Sequence, residues 1–315
     1  MTALELEAPA AAPAPNPPPV RRRRRRGRYT PYLLLAPTAT LIMLFIAYPI
    51  SQVVRNSLYR YNPLKPWADA FIGLDNYRAM FQDERFWSAL QFTGKWVVVE
   101  VGLQLIFGLA LALVINETFI GRGLSRAMVF SPWAVSGVLT TTIWLLLYNP
   151  TVGIPGRMAQ WGWIDYGTSP LADAGSAFWA AVLAELWRGV PFFAILILAD
   201  LQSISPDLYE AAEVDGAGRL RRFRSITLPH IKAALVLSTL LRGVWEFNNV
   251  DLLYTLTGGG PGHATTTLPL YIAQLATITK DFGYGSALTM SAFVILLVCS
   301  LTYLWLTRMG RKAES

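Results

Sequence analysis

The sequence predicts an all-α fold, a polytopic membrane protein with six transmembrane helices. Three observations support this prediction. Of the 315 residues, 53% are hydrophobic and only 15% are charged. The mean hydropathy of +0.38 and the 11 tryptophans are too apolar for a soluble domain of this length. Six apolar runs are each long enough to cross a hydrocarbon core of about 30 Å.

The predicted membrane spans begin after a polar arm and end before a short basic tail. Residues 1–30 form the arm, 31–307 the six-span domain and 308–315 a cytoplasmic C-terminal tail. The six runs are Tyr32–Val54, Trp96–Ile115, Ala127–Tyr148, Ala177–Leu198, Ile231–Leu256 and Ala287–Leu306. Each run is read as one span.

The arm is rich in Ala and Pro and carries seven arginines between positions 21 and 28. This composition predicts a disordered segment, and an arginine run beside a span orients the chain and contacts anionic lipid. With the N-terminus inside, the cytoplasmic side holds 17 of the 27 Lys and Arg residues, and the outside holds 7. We therefore expect both termini in the cytoplasm. This location of the charge favours membrane lipid over nucleic acid as the basic partner.

A polar island at about residues 201–230 separates the fourth and fifth apolar runs. Ser205 is a plausible N-cap and Pro206 a plausible first residue for a short helix that ends near Val214. Gly216 permits a sharp turn that a β-carbon would oppose. A second short amphipathic segment ends before Pro229, which can open the next helix. The island is predicted to be a helix–Gly–helix hairpin that faces water.

The hairpin resembles the EAA loop of ABC-importer membrane subunits, the cytoplasmic element that docks onto the transport ATPase. The resemblance rests on two triplets followed by an aromatic residue and a Leu-Pro pair at the expected spacing. The matching coupling residues are Glu210, Ala211, Ala212, Asp215, Gly216, Ala217 and Phe223, with Leu228-Pro229 after them. The alternative interpretation of these residues is an ordinary amphipathic cytoplasmic loop.

Three further segments extend the resemblance over nearly the whole chain after the arm. They are Phe71–Tyr77, where Gly73 and Asn76 suit a turn, Trp245–Asn249, and Thr257–Pro261. In this order they resemble the larger-type membrane subunit of binding-protein-dependent carbohydrate importers, the family that includes the maltose transporter. The maltose version has extra N-terminal spans and a large outside domain that this chain lacks.

The resemblance implies a multi-pass permease subunit in a bacterial or archaeal plasma membrane. Its implied partners are a second permease subunit, a cytoplasmic ATPase dimer that binds ATP-Mg, an extracytoplasmic sugar-binding protein and a carbohydrate substrate. The chain itself would catalyse no reaction and hold no cofactor. Two histidines and one cysteine show no metal-ligand spacing, and no nucleotide-binding or nucleophile motif is present.

The expected substrate path lies on span five. Arg242, Glu246 and Asn249 follow at i, i+4 and i+7 on one helical stripe, and Asn248 borders it. Such side chains can donate and accept the hydrogen bonds that a sugar needs. By resemblance, Glu246 and Asn249 match substrate-site positions of the maltose relative.

Two alternatives remain open for these charges. Arg242 and Glu246 can form a structural ion pair, as can Glu185 and Arg188 in span four, because an intramembrane charge needs a partner or a wet cavity. The second alternative is an ion-gradient-driven carrier or channel, because intramembrane charges also mark proton relays. The charges that support it are Arg188, Arg242, Glu246 and Asp251. Such a protein would not explain the hairpin.

Overall fold

The computed structural model of the chain describes the backbone of residues 30–312 and the side chains of residues 32–307. Its α-helices in chain order are α1 Thr30–Ile42, α2 Tyr48–Ser57, α3 Asp75–Gln82, α4 Glu84–Asn116, α5 Arg122–Ala134, α6 Gly137–Leu147, α7 Ile154–Gln160, α8 Ala174–Leu201, α9 Pro206–Val214, α10 Arg219–Arg222, α11 Leu228–Phe247, α12 Asp251–Leu256, α13 Leu268–Gln274 and α14 Phe282–Lys312. Single π-helical turns lie at Met43–Ala47, Phe223–Thr227 and Leu275–Thr279, and a 3-10 turn at Pro66–Ala68. Two short strands, β1 Tyr59–Arg60 and β2 Ala70–Phe71, pair antiparallel.

The chain divides into two compact units between Ile50 and Ser51. The first contains α1, the π-turn after it and the start of α2, and its described side chains are almost all exposed. The second contains the other helices and three buried apolar clusters, centred on Trp96, Phe193 and Leu288. The expected arm and the last residues of the expected tail lie outside the described residues.

Four helical stretches in the described residues are long and apolar enough to cross a membrane: Tyr32–Ser57, Glu84–Asn116, Ala174–Leu201 and Phe282–Thr307. A bent helix pair raises the number to five if it counts as one span. The fifth apolar run falls on α11, which carries Lys232, Arg242 and Glu246 and is not among these helices. The all-α membrane fold is confirmed, and the count of six spans stays a prediction.

The third apolar run is not one straight helix. It folds as α5 and α6, which meet at an angle of 97°. Pro132 near the end of α5 lacks a backbone donor, and Ser136 accepts a hydrogen bond from the Leu139 N–H (3.3 Å) and so caps α6. A proline that ends one helix and a cap that starts the next explain why the run bends.

The prediction of one continuous span over Ile231–Leu256 is wrong. The helix α11 ends at Phe247, and α12 begins at Asp251. The Asn248 side-chain amide donates to the Val244 carbonyl (2.8 Å), and the Asn249 amide donates to the Glu246 carboxylate (3.3 Å). Asparagine side chains that bond to nearby groups compete with the helical ladder, so the helix stops here.

The loop after α2 contains the expected turn at Gly73, whose φ is +59°. Asn76, however, does not lie in a turn. It is buried in α3, and its amide donates to the carbonyls of Ser57 (2.9 Å) and Tyr59 (3.0 Å). The residue therefore holds the end of α2 and the first strand against α3.

Asp83 ties three helices together at the end of the bundle where α4 begins. One carboxylate oxygen accepts hydrogen bonds from the hydroxyls of Tyr284 (2.6 Å) and Tyr271 (2.8 Å), and the other caps α4 through the Arg85 N–H. Burial alone would raise the pKa of Asp83. The hydrogen bonds outweigh it and lower the pKa below its ordinary value of 3.8.

We expect Asp83→Ala to destabilise this end of the bundle by about 1.5–3 kcal/mol, because two tyrosine hydroxyls lose a charged acceptor. A lowered pKa gives stability that is present above the unfolded pKa and lost as the pH falls through the folded pKa. The unfolding temperature of wild type should therefore fall below about pH 4, and the variant should lack this pH-dependent contribution to stability. Asp75→Ala, which removes only an exposed ion pair with Arg78, is the control. Equal unfolding temperatures for both variants would contradict the assignment.

Candidate functional site

The expected hairpin is formed, and its turn explains the glycine. Ser205 occupies the N-cap position of α9, but its hydroxyl makes no capping hydrogen bond. At the other end, the Ala217 N–H donates to the Ala212 carbonyl (2.8 Å) and the Gly216 N–H to the Glu213 carbonyl (3.0 Å). This pair of bonds defines a Schellman motif, in which the residue after the helix cap adopts a left-handed conformation. Gly216 does so with φ +72°.

The second arm of the hairpin differs from the prediction. Instead of a separate short segment that ends before Pro229, α10, the π-turn Phe223–Thr227 and α11 follow one another without a gap. The Leu228 N–H closes the π-turn on the Phe223 carbonyl. Pro229 lies in the first turn of α11, where its missing donor and fixed φ are tolerated. Movement of this arm therefore acts directly on α11.

Three side-chain contacts at increasing distance from the turn connect the two arms. They are Arg222–Glu213 (2.5 Å), Tyr209–Thr227 (2.8 Å) and Ser203–His230 (3.0 Å). Buried Ile204 and Ile231 pack in one apolar cluster at the base. The contacts are spaced along the arms, so they tie the two arms together over the length of the hairpin.

The hairpin presents an apolar surface with a carboxylate on it. Val214 is 89% exposed, and Leu208 and Leu220 are more than half exposed. Of the expected coupling residues, Glu210, Ala211, Asp215 and Gly216 are exposed, and Ala212, Ala217 and Phe223 are half-buried. Their role in coupling stays a prediction. Exposed apolar surface rimmed by polar groups is typical of an interaction site.

A second cluster of functional candidates lies among α4, α8 and α11, around the guanidinium group of Arg242. This group bonds the carboxylates of Glu185 (2.6 Å) and Glu246 (2.7 Å), and its Nε donates to the Gln104 side-chain oxygen (2.6 Å). Glu185 also pairs with Arg188 (2.8 Å). Arg242 and the two carboxylates are almost completely buried, so each charge depends on its partners.

The helix α4 supplies three members of this network that the sequence analysis missed. Gln104 donates to Glu100 (2.9 Å) and Glu246 (3.3 Å), and the Trp96 indole donates to Glu246 (3.2 Å). All three α4 side chains are fully buried. The available signal was a pair of polar residues, Glu100 and Gln104, one helical turn apart inside an apolar run.

The structure brings three of the four substrate-path candidates together. Arg242 and Glu246 point into the subunit, and Asn249 reaches Glu246 from beyond the helix end. Asn248 is exposed and points away, bonded to its own helix. This geometry favours the ion-pair interpretation of Arg242 and Glu246. Asn248 and Asn249 keep accessible surface, and their part in a substrate path stays a prediction.

Two interruptions of the helices meet beside the network. A β-carbon on Gly137, at the start of α6, would lie 3.4 Å from the Arg188 guanidinium and 4.0 Å from the Asp251 carboxylate. Asp251 is exposed at the start of α12. Irregular backbone within a membrane is tolerated where protein buries it or where it lines a cavity, and in many transporters broken helices line the substrate site.

Comparisons with known proteins find related transport permeases. The chain is 39% identical over 286 residues to the trehalose/maltose transport system permease protein MalF of Thermococcus litoralis, covering 89% of this chain and 94% of that protein. It is 37% identical to the sulfoquinovosyl glycerol transport system permease protein SmoG of Agrobacterium fabrum, covering 89% and 91%. The trehalose transport system permease protein SugA of Mycobacterium tuberculosis is 33% identical, with 91% and 90% covered.

A solved structure shares the fold. A chain of a bacterial ABC transporter involved in the import of the acidic polysaccharide alginate superposes with a TM-score of 0.76 at 23% identity, covering 89% of this chain and 96% of that one. Residues 104–314 match the model of the family described as binding-protein-dependent transport system inner membrane component. These residues include the hairpin and most of the buried network. The chain therefore belongs to the family of inner-membrane components of binding-protein-dependent transport systems, and it is a permease subunit rather than an enzyme.

Proposed function

We propose that this chain forms half of the translocation path of an ATP-driven importer for a carbohydrate, most simply a disaccharide or oligosaccharide. The names of its relatives support a sugar, since two are trehalose or trehalose/maltose permeases and one carries a glycoside. A related transporter has been solved with an alginate pentasaccharide-bound periplasmic protein. The proteins that this chain resembles thus include permeases named for neutral sugars and a transporter named for an acidic polysaccharide.

The proposed complex contains a second, related permease, a cytoplasmic ATPase dimer and an extracytoplasmic sugar-binding protein. ATP-Mg binds to the ATPase, and this chain needs no cofactor of its own. The distribution of Lys and Arg supports cytoplasmic termini in a bacterial or archaeal plasma membrane. Closure of the ATPase pair would move the hairpin as a rigid body and switch the path between its inward and outward openings.

The exposed hairpin with its glycine turn is the observation that carries this proposal. It joins α8 to α11, the two helices that hold Glu185 and Arg242, so force on the hairpin reaches the buried network. An ion-gradient-driven carrier would use the same intramembrane charges as a proton or ion relay. Their mutual pairing and the family favour the ATP-driven importer.

Co-purification tests the proposed assembly. The tagged chain should retain a second permease and two ATPase copies, and the sugar-loaded binding protein should stimulate ATP hydrolysis by this complex. Thermal-shift screening of that binding protein against a sugar panel identifies the substrate. A fully active homodimer from cells that lack the second permease would refute the heterodimer.

We expect Asn249→Ala to lower sugar uptake while assembly and basal ATP hydrolysis stay near wild type, because this amide is a half-exposed donor and acceptor beside the helix break. The loss of one such hydrogen bond to the sugar should lower uptake about tenfold. Uptake by the reconstituted complex is the measurement, and Asn116→Ala at the end of α4 is the control. Unchanged uptake, or a failure of assembly alone, would mean that Asn249 is structural.

A further inference from the structure

Gln202 lies between α8 and the hairpin and contacts a third element. It caps α8, since its backbone N–H donates to the Leu198 carbonyl (3.0 Å). With the side-chain oxygen turned toward α5, it accepts hydrogen bonds from the guanidinium groups of Arg126 (2.5 Å) and Arg122 (3.1 Å). The two arginines are one helical turn apart and lie on one face of α5.

This amide oxygen is the acceptor that the two cations share. None of the ion pairs among the described residues includes Arg122 or Arg126, and the Nε atoms of both are buried without a hydrogen-bond partner there. Two guanidinium groups on one side of a helix repel each other, and an acceptor between them offsets part of this repulsion. Val129 and Phe130 of α5 also pack against the apolar cluster that contains Leu201 and Ile204. The exposed side chain of Gln202 adds a polar, directional contact to this apolar packing.

The far end of α5 reaches the other candidate site. After the bend at Val135 and Ser136, the chain continues as α6, whose first residue, Gly137, lies beside Arg188 and Asp251. The three contacts between its arms hold the hairpin together as one body up to its base. A continuous physical connection thus runs from the exposed hairpin through α5 to the two helix breaks.

We propose that Gln202 is a positioning residue that makes α5, and with it the start of α6, follow the hairpin during the transport cycle. This inference rests on the proposed function. In a cycle that the ATPase drives through the hairpin, α11 moves because it continues the second arm, and α5 moves because Arg122 and Arg126 bond to Gln202. Loss of the shared oxygen would leave only the apolar packing of α5 to carry the movement of the hairpin to the helix break at Gly137, and the coupling would weaken.

The complete complex with its binding protein, reconstituted in vesicles, tests this role. In Gln202→Leu, which removes the acceptor at similar size, sugar transported per ATP hydrolysed should fall about tenfold, whereas ATP hydrolysis and binding-protein affinity stay near wild type. Gln202→Glu should restore coupling, since a carboxylate accepts from both guanidinium groups. Gln160→Leu, at an exposed position of α7, is the matched control.

Arg122→Gln gives a second, milder test that does not depend on the assembly of Gln202→Leu. It removes the longer of the two bonds and should reduce coupling by a smaller factor. Three results would overturn the proposal. The first is wild-type coupling in Gln202→Leu, and the second is an equal defect in Gln202→Leu and Gln202→Glu. The third is full coupling in Arg122→Gln if Gln202→Leu fails to assemble. Absence of ATP-driven uptake in wild type would instead refute the proposed function.

Discussion

Arg242→Leu should destabilise the subunit by about 3–5 kcal/mol, one of the largest effects of any single substitution in the chain. The substitution removes the one guanidinium group that contacts both Glu185 and Glu246 and leaves their carboxylates buried without this partner. The Gln104 side-chain oxygen also loses the hydrogen bond that it accepts from the Arg242 Nε. Thermal unfolding of the purified complex, or its yield after detergent extraction, measures the loss.

Two comparisons make this prediction specific. Arg78→Leu removes an exposed ion pair with Asp75 and should cost at most about 1 kcal/mol. Replacing Arg242 and Glu246 together by leucine should recover much of the stability, because Glu185 keeps Arg188 as its partner (2.8 Å) and the second carboxylate is gone. An Arg242→Leu protein that unfolds at the same temperature as Arg78→Leu would show that the network is not the structural centre of the fold.

Gly216→Val should reduce substrate-stimulated ATP hydrolysis about tenfold without loss of sugar binding at the binding protein. No heavy atom of the described residues lies within 4 Å of a β-carbon built at this position, so within this subunit the effect is conformational. The left-handed backbone at φ +72° costs a β-branched residue about 1–2 kcal/mol or more, and relaxation would redirect α9.

The chain contains a matched control two residues away. Gly218 has equally open surroundings but a φ of −66°, so Gly218→Val should leave coupling intact. Gly216→Asn should fall between the two, because asparagine tolerates the left-handed region. Glu210→Lys should also abolish stimulation or docking, since it reverses the charge of an exposed carboxylate on the hairpin surface. Wild-type stimulation in both Gly216→Val and Glu210→Lys, with assembly intact, would remove the hairpin from the mechanism.

The sequence predicted most of the fold because apolar runs and the glycine turn are local signals. The helix α8 begins and ends within three residues of its predicted bounds, and the first turn of the hairpin follows from Gly216 alone. The bend before Ser136 and the break at Asn248 were not predicted. Both depend on polar side chains that bond to neighbouring groups instead of the helical ladder, and hydropathy does not register this competition.

The site was predicted less completely, and the reason is long-range packing. Arg242 and Glu246 are four residues apart in sequence, so their pairing follows from helix geometry. Gln104 is more than 130 residues away and meets Arg242 and Glu246 only because α4 packs against α8 and α11. Glu100 joins the network through Gln104. The same holds for Gln202 and Arg126, which the chain brings together across two helices.

ATP-driven uptake by the reconstituted complex tests the central claim most directly. Vesicles that contain both permeases and the ATPase dimer receive the sugar-loaded binding protein outside and ATP-Mg inside, with ionophores present to abolish every ion gradient. An importer of the proposed kind accumulates sugar under these conditions, and Gly216→Val vesicles accumulate it about tenfold more slowly. Uptake that requires an ion gradient and proceeds without ATP would contradict the claim and identify the buried charges as part of a secondary carrier.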